Sequence, residues 1–484
     1  MTWRAMVLLI LLSTAARAQV QDLGPLPPAA ELRREFVSPD GRHVIWRVAR
    51  PEGEAFVLDG RPDPTFAALK SDPLVSPDGR RLAYKVDAED GAKRAVVLDG
   101  RPGPSFDQID NDSLHFGADG RLGYSGQRHG HTAILREAEV LAEGPAVKSN
   151  GVFSPDGRRL AYKLDTGGGR RAVVLDGAQG PAWPQVDNSS LAFSRDSRHF
   201  VYVATNAEGH APAQATVVCD GVAGETWERV EGLTFSPDGG HLAYLAWRGG
   251  QARVVLDGQA QPPCEEVDPY FLRFTAGGLL GYRAGLGSLV VGGREVLKAE
   301  GIADWAAGAD GQPVAAVTRT GSAWSVLENG AKGEDFEAIA APPSVSADGR
   351  HLAYAAARGG RWSVVVDGVA GGEWQRIGQP PVFSVDGGHL GCIARRDGRW
   401  FVVVDKAEFG PFEWFAWGSL KFSPDGRHWA AMVRSGEAWR VLLDGRPGPD
   451  CQRLFGTVPD FEPDGSLTYP AGREGRLVRI NQTP

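Results

Sequence analysis

From Leu74 to Phe106 the chain alternates short apolar runs with tight-turn signals, LVSPDGRRLAYKVDAEDGAKRAVVLDGRPGPSF. Ser76-Pro77-Asp78-Gly79 and Asp99-Gly100 each separate two such runs, which predicts strand, hairpin, strand, loop, strand, hairpin, strand. The pattern recurs. Aligned on the turn aspartate, the copies stand at Asp40, Asp78, Asp119, Asp156, Asp196, Asp238, a degenerate Gly277, Asp310, Asp348, Asp386, Asp425 and Asp464. That makes twelve copies of about 39 residues, the length of a four-stranded propeller blade.

Two further landmarks keep the register. A large apolar residue follows the second-turn glycine by six positions at Phe66, Phe106, Trp183, Trp227, Phe336 and Trp374, and Cys264 and Cys451 take that place in two copies. An aromatic residue lies six positions past the turn aspartate at Trp46, Tyr84, Tyr162, Tyr202, Tyr244 and Tyr354. On these residues the chain resembles a known repeat. FSPDGRRLAY and FSPDGGHLAY, and the VVLDG that follows such copies, are similar to the WD40-like repeat of bacterial β-propellers, the type found in the TolB protein and in prolyl oligopeptidases. The resemblance covers nearly the whole chain and implies the fold; it implies little about activity, because propellers host unrelated functions. No TolB-like α/β domain precedes the repeats, and no G-x-S-x-G serine elbow is present.

The expected fold is therefore all-β, a β-propeller of twelve four-stranded repeats, arranged as two tandem six-bladed propellers. The first would span 32–268 and the second 269–484, divided near Asp268 because the degenerate copies fall at the midpoint. In each blade the first-to-second and third-to-fourth turns share one end, and their Asp-Gly pairs supply the positive φ of tight hairpins. The second-to-third loops and the connections between blades share the opposite end, where loops of varied length and charge on a rigid scaffold carry function. The last copy lacks a fourth strand. Either residues from the segment 19–31 supply it or the blade has three strands.

Met1 to Ala18 has a positive start, the apolar core MVLLILL and an Ala16-Arg17-Ala18 cleavage signal, which predicts a secretory signal peptide cut after Ala18 and a periplasmic or secreted protein. The apolar run is too short to span a membrane. A net charge of −8 argues against nucleic-acid binding, which wants a basic face. The four cysteines occupy positions that are apolar in other copies and read as small buried hydrophobes, with one disulfide left open.

Candidate chemistry is sparse. His43, His199, His241, His351, His389 and His428 share one repeat position, three residues past the turn aspartate, and Arg81 and Arg159 fill it elsewhere, so they read as turn partners and not as catalysts. His129 and His131 form the single close histidine pair, too few ligands for a metal site on their own. The second-to-third loops are acidic early in the chain (Glu52, Glu54, Asp87, Glu89, Asp90, Asp165, Glu208) and rich in arginine later (Arg248, Arg319, Arg358, Arg396, Arg434, Arg473). That later set is the candidate ligand-binding rim, since arginine's planar fork suits carboxylates; a merely solvated surface is the alternative. Trp183, Trp227, Trp374 and Trp414 are expected to pack at the fourth strand, and Trp247, Trp324, Trp362, Trp400 and Trp439 to form a repeated core position or an aromatic ring that stacks sugars. No catalytic, metal or cofactor motif is found. The expected function is a non-enzymatic scaffold for a protein or peptide partner, with a carbohydrate-binding or carbohydrate-active propeller as the alternative.

Overall fold

The computed structural model describes residues 18–484 apart from 89–90, 111–112, 207–213, 265–266, 286, 300 and 457–459. Residues 1–17 of the predicted signal peptide, together with Glu89, Asp90 and Glu208, lie outside the described residues. Twelve antiparallel sheets follow one another along the chain as the blades of a β-propeller. Among the described residues the helical content is two short 3₁₀ turns, Asn188–Ser190 and Pro269–Phe271.

Blade 2 shows how the repeat folds. Its strands are Leu74–Val75, Leu82–Asp87, Arg94–Leu98 and Arg101–Phe106, paired in chain order. Asp99 and Gly100, at φ 51° and 75°, make the two-residue turn whose twist matches the strands it joins. The second strand is apolar on both faces because both are covered. Tyr84 and Val86 pack with Ile45 and Phe56 of blade 1, whereas Ala83 packs with Leu122 and Tyr124 of blade 3. Burying one such ring or branched side chain contributes roughly 1.5–3 kcal/mol. The aromatic landmark lies at these seams: the rings of Phe106 and Tyr124 meet edge-on at 6.0 Å, and those of Phe336 and Tyr354 at 6.1 Å.

The chain forms two compact units, one of Pro27–Trp374 and one of Gln375–Pro484 with the N-terminal residues to Leu26. The first holds blades 1 to 9. Within it blades 6 and 7, which flank Asp268, share a core in which Ala243, Leu245 and Val254 meet Leu272, Leu280 and Tyr282. The degenerate copy at Gly277 still forms a full sheet of four strands. The second unit holds blades 10 to 12. Ala18–Pro25 supplies the outer strand of blade 12, running antiparallel to Arg476–Gln482, and Asp22 pairs with Arg476 at 2.6 Å.

Candidate functional site

At the end carrying the S-P-D-G turns, the repeated serine, histidine and aspartate side chains are spent on one another. In blade 6, Ser236 is 1 % exposed; its hydroxyl accepts the backbone amide of His241 at 2.9 Å and donates to Asp238 at 2.5 Å. The His241 ring bonds not the serine but Asp257 of the third-to-fourth hairpin, Nδ1 to Oδ2 at 2.7 Å, and the other oxygen of Asp257 accepts the Leu242 amide at 2.9 Å. The same set recurs around His199, His351, His389 and His428. Arginine replaces histidine without changing the partner: Arg81 reaches Asp99 and Arg159 reaches Asp176. In blade 8 the cationic position is Pro313, and the hairpin acid is the neutral Asn329, which still accepts the Val314 amide. These groups also join neighbours. Arg81 continues to Glu137 of blade 3 at 2.5 Å, and the ring of His43 lies where a Cβ on Gly79 would stand, 2.1 Å from that Cβ position.

The hydroxyl and nearby amides hold the turn carboxyls of Asp78, Asp156 and Asp238 below the usual carboxylate range. A hydrolytic serine would give its proton to an imidazole. Here the proton goes to an aspartate and the imidazole is turned to another, so the repeated Ser, Asp and His act as a clasp.

The opposite end is built differently. Most second-to-third connections there are two-residue turns, and in several, such as His129-Gly130 and Gly359-Gly360, both residues have positive φ. An exposed acid on the preceding first strand or just before it caps several of them: Glu228 accepts the Gly249 amide at 2.8 Å, Glu337 the Gly359 amide at 2.9 Å and Glu413 the Gly436 amide at 3.0 Å.

The six rim arginines fall into two groups. Arg248 binds Glu225 at 2.9 Å and lies 4.1 Å from the Trp227 ring, stapling blade 6 to blade 5. Arg358 does the same to Glu334 and Phe336 of blade 8, and Arg396 forks onto Glu408 within blade 10. Arg319 donates to the Gly321 carbonyl and lies over Trp324. Arg434 lies over Trp439, and Arg473 lines a cleft beside Asp450 and Cys451. These last three arginines make no ion pair with a carboxylate among the described residues. The early acids are paired too: Glu54 with Arg47, Asp87 with Lys70 and Arg94, Asp165 with Arg171.

Between blades 3 and 4, on this same end, opens a cleft of 560 Å³ lined by Asp110, Gln127, His131, Thr132, Lys148 and Asn150. Lys148 is exposed and makes no ion pair among the described residues, while its backbone amide is fixed by the Lys163 carbonyl at 2.9 Å. Beneath it Lys163 is 6 % exposed, and burial, helped by Arg171, pushes its amine down. Thus of the histidine pair His131 lines a polar cleft, but no group of three or more potential metal ligands forms among the described residues. Sequence spacing gave no sign of this cleft, since Asp110, His131 and Lys148 belong to separate loops.

The tryptophans divide otherwise than expected. Trp227 and Trp374 are buried, and Trp362 pairs with Trp374 across the third and fourth strands as Trp324 does with Phe336. Trp414, expected to pack at the fourth strand, instead lies in the first strand of blade 11 and is 56 % exposed. The reason is local. The hairpin of blade 10 is Asp405-Lys406, so the landmark falls on Phe412, which pairs with Trp400. All four cysteines are free; burial pushes the Cys392 thiol up to about 12 and that of Cys451 to about 11.

No protein-family model matches the chain, and no curated protein does. Among solved structures the chain is similar to a eukaryotic initiation factor, at 11 % identity over 90 % of each chain with a TM-score of 0.32. It is also similar to the β-propeller domain of the Trilobed protease from Pyrococcus furiosus, at 12 % identity over 63 % of this chain and 95 % of that one with a TM-score of 0.26. A third is the Myceliophteria thermophila Cps50 (Swd1) β-propeller domain, at 11 % identity over 55 % and 97 % with a TM-score of 0.24. Likeness at this level says nothing of activity.

Proposed function

We propose that the chain is an exported, non-enzymatic β-propeller that holds a protein or peptide ligand on the second-to-third hairpin end of its blades. The cleft between blades 3 and 4 supports this reading most strongly. An ammonium without an ion-pair partner among the described residues, an imidazole and two amides line one concave surface, which suits the carbonyls and carboxylates of an extended peptide. Arg319 adds a further donor in the same unit. The role of the serines, histidines and aspartates as clasps is what favours binding over catalysis.

The test is selection of peptides against the full mature chain, followed by calorimetry on the selected peptide. Lys148→Glu is expected to weaken binding at least tenfold without moving the unfolding midpoint; unchanged affinity would refute the cleft as the binding site. N-terminal sequencing of the exported protein is expected to begin at Gln19. A second reading, a carbohydrate-binding propeller, is favoured by one observation in the smaller unit: two indoles stand in solvent there.

A further inference from the structure

At several seams between blades, on the S-P-D-G end, the buried tyrosine of a second strand brings its hydroxyl to one place in the preceding blade, the residue four past the hairpin aspartate. Three seams differ in what stands there. Between blades 1 and 2 it is Asp63, which accepts the Tyr84 hydroxyl at 3.0 Å. Between blades 11 and 12 it is Gly448, and the buried side chain of Gln482 covers for it. The Gln482 Oε1 accepts the Tyr469 hydroxyl at 2.9 Å, and its Nε2 donates to the Val441 carbonyl at 3.4 Å. Between blades 2 and 3 it is Gly103, and a cleft of 520 Å³ opens instead.

Tyr124 lines that cleft and is 2 % exposed, with its hydroxyl 3.4 Å from where a Cβ on Gly103 would stand. Unlike that of Tyr84, this hydroxyl has no hydrogen-bond partner among the described residues. Burial pushes the phenol up to about 12, so it keeps its proton at neutral pH. The Val96 carbonyl, counterpart of that of Val441, lies 3.3 Å from the same Cβ position. Val96, Leu98 and Leu122 add apolar walls, and the volume is that of a small-ligand site. The seam between blades 8 and 9 repeats the arrangement. Gly333 stands there, the buried Tyr354 has no hydrogen-bond partner among the described residues, and a cleft of 410 Å³ opens. Glu328 takes the place of Leu98 in that second cleft, so its wall is polar and offers an apolar body less to cover.

The two filled seams indicate which acceptor suits the place. Burial holds the Asp63 carboxyl above its ordinary range even though Tyr84 donates to it, so a carboxylate is costly to desolvate here. The Gln482 carboxamide is uncharged and uses both its oxygen and its nitrogen. Tyr124 Oη and the Val96 carbonyl present the same donor and acceptor beside Gly103. At the mouth Arg81 is engaged by Asp99 at 2.9 Å and by Glu137 at 2.5 Å, which leaves the exposed Arg101 as the one lining charge without an ion pair among the described residues.

We propose that the cleft between blades 2 and 3 binds a small ligand carrying a primary carboxamide on an apolar body, its carbonyl accepting from Tyr124 and its nitrogen donating to the Val96 carbonyl. The site is independent of the peptide cleft between blades 3 and 4. It lies in the fixed end of the blades, where a preformed pocket binds with little ordering cost.

The experiment titrates the full mature chain with phenylacetamide, using phenylacetate and N,N-dimethylphenylacetamide as controls and saturation-transfer NMR as the readout. The amide is expected to bind saturably and about fivefold or more tighter than the acid or the dimethylamide, whose nitrogen has no proton to donate. Tyr124→Phe is expected to weaken the amide about five- to tenfold while the unfolding midpoint stays in place, because the hydroxyl has no partner to lose. Gly103→Asp rebuilds the arrangement of blade 1 and is expected to abolish binding, and Lys148→Glu to leave it unchanged. Absence of saturable binding by the amide, equal binding of the dimethylamide, or binding that survives Gly103→Asp overturns the proposal. Tighter binding of the acid would assign the cleft to Arg101 and a carboxylate and overturn the carboxamide. A midpoint lowered by Tyr124→Phe would show the hydroxyl already engaged within the fold, and a loss of binding on Lys148→Glu would place the amide in the peptide cleft; either result overturns the site.

Discussion

In blades such as 6 and 9 the two ends use the same device, a tight turn with positive-φ corners, yet they place their polar groups in different surroundings. At the S-P-D-G end the anchoring hydroxyls are buried, Ser76, Ser154 and Ser194 completely so, and each accepts a backbone amide while giving its proton to an aspartate. At the other end the anchors are carboxylates in solvent, Glu228, Glu337 and Glu413, capping turns that also lie in solvent. A buried hydrogen bond cannot be exchanged for one to water without leaving a group unsatisfied; an exposed one can. One end is thereby fixed and the other is free to vary, which is the physical difference between a frame and a binding surface.

Substitutions can break that contrast, beginning with the largest effect. Gly79→Ala drives a Cβ into the His43 ring at a backbone angle that L residues resist, and chemical unfolding is expected to show a loss of about 2–4 kcal/mol. His43→Ala in the same chain should recover part of it, and a full loss in the double variant would show that the backbone angle alone is at fault. Ser236→Ala strands the His241 amide in a dry site and is expected to cost about 1–3 kcal/mol by the same measurement.

Acid should act on the same end. The turn carboxyls have folded-state pKa values below their unfolded ones, so their contribution is complete above the unfolded value of about 4 and is lost as pH falls through the folded values. Unfolding curves at pH 7, 4 and 3 are expected to show stability falling mainly in the last interval, with a shallower fall in Ser236→Ala.

At the opposite end, Arg358→Ala removes an ion pair whose partners are 58 % and 62 % exposed, so the expected loss is at most about 1 kcal/mol. Lys148→Ala is expected to stay within about 0.5 kcal/mol of the parent, with its effect confined to ligand binding.

The repeat made the blades legible. A period near 39 with two hairpin signals predicts four strands, and the large apolar residue six positions past the second-turn glycine falls at a seam between blades, where Phe106 meets Tyr124. Interchange of histidine and arginine also pointed to a turn partner, but the partner itself, an aspartate of the next hairpin, went unread. The sequence held the clue, since Pro313 at the cationic position coincides with Asn329 at the acidic one. Other features depended on folding. Trp414 was misplaced because Asp405-Lys406 carries no glycine from which to count. The strand AQVQDLGP has no apolar alternation to announce it, because five of its eight residues lie in solvent at the edge of blade 12. The cleft between blades 3 and 4 arises only when three loops distant in sequence are brought together, which no local pattern records.

Native-state hydrogen exchange on the intact chain measures the contrast between the ends most directly. The account predicts that the amides of Arg81, Arg159, His199 and His241, bonded to buried serine hydroxyls, exchange as slowly as those of the second strands, whereas the amides of Gly249, Gly359 and Gly436 exchange orders of magnitude faster. Equal protection at both ends, or slower exchange at the glycines, would contradict the division into a fixed end and a variable one.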